Sequence, residues 1–283
     1  MTQFFEGVII TSIMTVVCDS IPCLAPGGVS QTDSELTMWI LTFSIWILML
    51  TFSTILVYRG KGELKDWTLA TPFFSGFVGI GTMGVSVILS IFFVPMGEVG
   101  RWTENFYEQY ASLSVLSYYQ PMRFLIPSGF TIVSLGILIS LVEGLKRWWH
   151  QSRNIGLLSS TILLVWALLA LLGTFFAEST LIFTRDFDRD IHLNMIYASH
   201  ICLTLSPFFC SIFLLIKSKS ENESTDFPTR LLTISVGIIV IASITLFIHT
   251  QELFSGGIMA FSHQIMVGSQ LVWLIYFGTF FFD

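Results

Sequence analysis

Apolar positions in this chain form long unbroken runs separated by short polar turns, rather than the stripes that mark soluble helices or strands. A helix needs about 20 apolar residues to cross a hydrocarbon core about 30 Å thick. Runs of that order predict spans at residues 5–24, 36–58, 68–94, 124–145, 155–176, 193–216, 231–249 and 256–282. Asp19 and Pro22 interrupt the first run near its far end, so the alternative is seven spans with a re-entrant or interfacial first segment. The expected fold is all-α, a polytopic transmembrane bundle of about eight spans. It divides into an N-terminal hairpin over residues 1–67 and a six-helix core over residues 68–283, with no soluble domain and no short-period repeat.

The turns test that pattern, because lysine and arginine collect on the cytoplasmic side of a membrane protein. Arg59, Lys61 and Lys65 share one turn; Lys146, Arg147 and Arg153 share the next but one; Lys217, Lys219 and Arg230 share the next again. These are nine of the 13 basic residues, in alternate connections. Eight spans therefore put both termini in the cytoplasm, and seven move only the N-terminus outside. The outer connection at 95–122 mixes Glu98, Glu104 and Glu108 with Trp102, Phe106, Tyr107, Tyr110, Tyr118 and Tyr119, the content of an amphipathic segment at the headgroups. The other long outer connection, 178–191, is acidic. Asn222-Glu-Ser matches the glycosylation pattern, but on the cytoplasmic side.

Composition agrees. Of 283 residues 53% are hydrophobic and 11% charged, with a mean hydropathy of +0.77, too little charge to cover a soluble protein of this length. A net charge of -6 without a basic stripe excludes nucleic acid as a partner. Cys18, Cys23, Cys202 and Cys210 are too few and scattered for a disulfide framework or zinc motif. Small buried thiols are the expected use, with a Cys18–Cys23 pair as the alternative. Residues 1–7 hold Glu6 and no basic residue, so the first apolar segment is expected to be retained rather than cleaved.

Ionisable groups inside a span are costly, so each is a functional candidate. Glu143 lies three and four residues before Lys146 and Arg147, which predicts local pairing at the helix end. Asp19 reads as a cap or loop residue beside Cys18 and Pro22. The richest cluster runs from Glu178 through Arg185, Asp186, Asp188, Arg189, Asp190 and His192 to His200. If the helix starts early, Asp188 and His192 share a face, so Asp188, His192, His200 and Glu178 are the candidate catalytic residues, for acid–base work or to orient a metal's ligand at the outer interface. The plainer reading is a solvated helix start with paired charges. His192 and His200, eight residues apart, rise about 12 Å on one helix and cannot share an ion. No metal site and no cofactor is expected.

The last hairpin is rich in polar residues. His249, His263, Gln264 and Gln270 are candidate ligand-binding residues, with interhelical hydrogen bonding as the plainer role. Gly76, Gly79, Gly81 and Gly84, followed by Ser86 and Ser90, predict close approach of a neighbouring helix. No phosphate loop, Gly-x-Ser-x-Gly elbow or His-Glu-x-x-His helix is present, and no lysine lies in a span to carry a retinal.

Phe247-Ile-His249, the stretch 263–273 and Tyr276-Phe-Gly-Thr-Phe280 resemble the family of DRAM-type autophagy modulators, Frag-type GPI-lipid remodelling factors and Sfk-type phosphoinositide regulators. Upstream, Gly173-Thr-Phe-Phe176, a polar outer loop and His192 fall in that family's order. The resemblance covers about residues 68–283 as six helices, most closely over roughly the last 120. Where members often carry a Glu-Trp pair on the last helix, this chain has Met266 and Val267. The resemblance implies a multi-pass protein that binds membrane lipids or scaffolds a membrane-protein partner, a homo-oligomer included. In a eukaryote its membrane is an endomembrane or the plasma membrane; in a prokaryote it is the cell membrane. The alternatives are an intramembrane lipid-modifying enzyme using the Asp/His cluster, and a transporter or channel.

Overall fold

A backbone in hydrocarbon has no water to bond, so an apolar run of span length satisfies itself by becoming helix. The computed structural model describes residues 71–93, 113–117, 122–182, 189–250 and 256–279, with the single positions Ser44, Leu48 and Thr51. Its elements are α1 (Thr71–Phe93), α2 (Leu113–Leu116), α3 (Met122–Ile155), α4 (Leu157–Ile182), α5 (Arg189–Ser220), α6 (Asp226–Thr250) and α7 (Gly256–Thr279). Six of them, all but α2, are long and apolar enough to cross a membrane. The expected count of about eight spans is thus not supported: six stand among the described residues. The two earlier runs, 5–24 and 36–58, lie outside them apart from those single positions, as do Asp19 and the Cys18–Cys23 pair.

The helices outrun the apolar segments that predict them. α3 continues ten residues past 145 through a polar, basic stretch, because Lys, Arg and Gln propagate a helix as well as Leu does. Glu143 accepts a bond from Lys146 Nζ at 2.7 Å there, as the spacing requires. Gly156 alone separates α3 from α4, at φ +140°, a conformation that only glycine adopts cheaply. α5 closes with Asn222 at φ 55° and Glu223 N–H bonded back to the Ser218 carbonyl at 2.9 Å. Asn tolerates the left-handed conformation, so a helix can stop there without glycine.

Each long helix packs against its neighbours in the chain, and α1 packs against α7, so α1, α3, α4, α5, α6 and α7 form a closed ring. Glycines permit the closest approaches. A Cβ on Gly76 would stand 2.9 Å from the Leu271 carbonyl oxygen, and one on Gly79 2.5 Å from Leu271 Cδ2, both on α7. Gly84 faces open space, so the glycine run serves the contact only in part. Ser86 and Ser90, further along α1, are buried.

The two ends of the ring differ. Arg153, Lys217 and Lys219 lie in the last turns of α3 and α5, which marks a basic end. Toward it the interior is a packed aromatic floor. Trp148 lies 5.8 Å from Trp166, 5.6 Å from Phe213 and 6.5 Å from Phe277 between ring centres, and Trp273 stacks on Phe277. Leu231 and Ile238 of α6 complete this cluster. Leu164, Leu168, Leu171 and Phe175 on α4, and Val236, Val240, Ile244 and Phe247 on α6, are exposed at helical spacing. Such outward stripes suit hydrocarbon, not water.

Candidate functional site

Away from the basic end the interior is polar. α5 carries His192 in its first turn and His200 about two turns deeper, α6 ends beside His249, and α7 carries His263 about two turns from its start. The ring brings three of these together. His200 Nε2 and His263 Nε2 are 2.6 Å apart, with ring centres at 4.6 Å and planes at 81°. α5 and α7 are next-but-one around the ring, so this contact crosses the interior past α6. Deeper along the same helices, Gln270 Nε2 donates to Thr204 Oγ1 at 3.0 Å, the second such crossing.

His249 flanks the pair, its ring centre 6.3 Å from that of His263. Its Nε2 stands 3.2 Å from the Met259 carbonyl oxygen. A carbonyl only accepts, so His249 donates from Nε2 and, when neutral, keeps its lone pair on Nδ1. Tyr197 packs edge-on against the same ring, 6.5 Å between centres. The His200–His263 contact needs one proton between two nitrogens, one ring donating and the other accepting. His200 Nδ1 is buried and has no hydrogen-bond partner among the described residues. Gln264 is half-buried on α7 one residue beyond His263.

The remaining candidates do not join this centre. Glu178, near the end of α4, accepts a bond from Thr131 Oγ1 of α3 at 3.1 Å, while its other oxygen is buried with no hydrogen-bond partner among the described residues. His192 is buried. Asp188 lies outside the described residues, so its expected pairing with His192 does too. Cys202 and Cys210 are free thiols, Cys210 fully buried.

Sequence reasoning missed Thr131, Thr204, Tyr197 and the Met259 carbonyl. Tyr197 alone had a signal, three residues before His200 and so on its face. The others acquire partners 47 to 66 residues away, or through backbone that no side chain announces. Among the described residues, no group of three or more His, Cys, Asp or Glu side chains is placed to hold a metal ion.

Compared with known proteins, the chain matches no family model, no curated protein and no solved structure. Fold and site together therefore define a class: an all-helical ring with six helices fit to cross a membrane and a histidine centre in one half of its interior.

Proposed function

We propose that this chain is a multi-pass integral membrane protein, basic end in the cytoplasm, that binds a membrane lipid or a partner without performing chemistry. The lipid's polar headgroup sits at the His200–His263 centre in the outer half. The observation that carries this reading is the asymmetry of the interior. Two polar pairs cross the ring on one side, and a packed aromatic floor fills the other. Polar side chains turned into a membrane protein's interior serve either helix contacts or a polar ligand. The outward apolar stripes of α4 and α6 leave an acyl chain room in the surrounding bilayer. The resemblance to the DRAM and Sfk branches supports the same function.

Lipid retained by the detergent-purified chain can be identified by mass spectrometry. His200→Ala with Gln270→Leu is expected to lower retained lipid several-fold at unchanged helicity and elution volume. Equal retention by the variant would retire the headgroup site. A second reading, a lipid-modifying enzyme, draws on the convergence of His200 and His263. It requires turnover of a supplied lipid by the wild-type chain and its loss in His263→Ala. The aromatic floor speaks against a third, an open pore, since it fills the path at the basic end.

A further inference from the structure

We infer that the groove between α3 and α4 at the basic end binds an anionic glycerophospholipid of the adjacent leaflet. The groove is open, has a volume of about 400 Å³, and is lined by Leu145, Lys146, Trp149 and His150 of α3 with Leu164 of α4. It lies away from the His200–His263 centre and would hold a different lipid molecule. Only the leaflet's name, cytoplasmic, rests on the reading proposed above.

An offset between the two helices builds the groove. Lys146 precedes Gly156 by ten residues and Leu164 follows it by eight, rises of about 15 Å and about 12 Å, so both stand at one level. α3 is already polar there, whereas α4 is apolar from its first turn, where Leu157 and Leu158 are exposed. Cations and outward leucines thus share one depth, as phosphate and acyl chains nearly do where a phospholipid joins them. Apolar stripes continue from both walls. On α3, exposed Leu135, Ile139 and Val142 lead at helical spacing to Lys146. On α4, Leu164 both lines the groove and begins the exposed stripe that ends at Phe175. An acyl chain lying along this seam keeps its headgroup in the groove.

The polar groups suit a phosphate diester. The Lys146 side chain is 64% exposed and gives one bond to Glu143, which leaves two of its three N–H groups for phosphate oxygens. An exposed ion pair of this kind contributes little, so an arriving anion can share the ammonium. His150, exposed one turn further along the same face, has at least one ring N–H to donate in either tautomer. Arg153 is exposed and lies about one turn further toward water. With Glu143 offset by Lys146, Arg153 leaves this face cationic, which favours a lipid of net negative charge over a zwitterionic one. Trp149, exposed between Lys146 and Arg153, is the ring type enriched at headgroup depth.

The test titrates the full chain in detergent micelles with phosphatidylglycerol and, separately, with phosphatidylcholine, and reads bound lipid by native mass spectrometry. The wild-type chain is expected to bind phosphatidylglycerol about fivefold or more tighter, an advantage that shrinks as salt rises. Lys146→Gln with His150→Gln should remove most of that preference at unchanged helicity and elution volume, and Lys146→Arg should keep it. Lys219→Gln with Arg230→Gln, which removes two exposed cations from the same end, should also keep it. Equal affinity of the wild-type chain for the two lipids overturns the site without recourse to any variant. An equal loss in the Lys219→Gln and Arg230→Gln variant overturns it too, because the attraction then belongs to the whole basic end. His200→Ala with Gln270→Leu should leave the preference intact; its loss there would put the anionic lipid at the histidine centre and retire the groove.

Discussion

At the scale of single residues, small and polar side chains inside the ring decide how closely helices meet. Gly76 faces the Leu271 carbonyl, which cannot yield as a side chain can. Gly76→Ala is therefore expected to destabilise the folded chain by about 1–3 kcal/mol through overpacking. Gly84→Ala meets nothing within 4 Å and exchanges glycine for a better helix former, so it should be neutral or stabilising by up to about 1 kcal/mol. Denaturant unfolding in mixed micelles separates the two. A larger loss at Gly84 than at Gly76 would contradict the α1–α7 packing. Polar pairs are worth less. Gln270→Leu should cost about 1 kcal/mol or less by the same measurement, since Thr204 can turn its hydroxyl to a carbonyl of its own helix. A loss of several kcal/mol would mean that Gln270 holds more than Thr204.

At the scale of elements, the packing at the ends of α3 departs furthest from an apolar run. Its polar extension brings Trp148 back over the ring, where Trp166, Phe213 and Phe277 surround it. Trp148→Ala should cost about 3–5 kcal/mol, as large-to-small changes in packed cores do. A smaller loss in the unfolding free energy would show that this floor is not packed as described. Where α3 turns into α4, Gly156 is open on the side a Cβ would take, so only its backbone angle resists substitution. Gly156→Ala is thus expected to cost about 1–3 kcal/mol despite free space, read in the same assay. The pairing of Glu143 with Lys146 was legible from spacing alone. The turn expected over 146–154 falls instead at Gly156, because Lys, Arg and Gln propagate a helix and their charge alone does not end one.

For the whole molecule, the closed ring makes a prediction about sidedness. In a cysteine-free background, single cysteines replacing Arg153 and Asn222 should react with an impermeant thiol reagent from the same side of a sealed vesicle. One replacing Ser117 should react only from the other side. Agreement of all three would break the alternation of helices on which the reading of the ends depends.

Long apolar stretches alone determined that the chain is helical and fit for a membrane, because hydrocarbon leaves the backbone no partner but itself. The cations Arg153, Lys217 and Lys219 likewise marked two turns that share an end, while the turn at 59–65 lies outside the described residues. Which helices are neighbours was decided only by tertiary packing. Apolar faces in lipid are nearly interchangeable to a sequence reader, and the contact between α1 and α7 spans most of the described chain. For the same reason His249, His263 and Gln270 could be picked out singly, but not the meeting of His200 with His263. That contact depends on the rotation of two helices about their axes, which is set by side-chain packing and not by the length or oiliness of either.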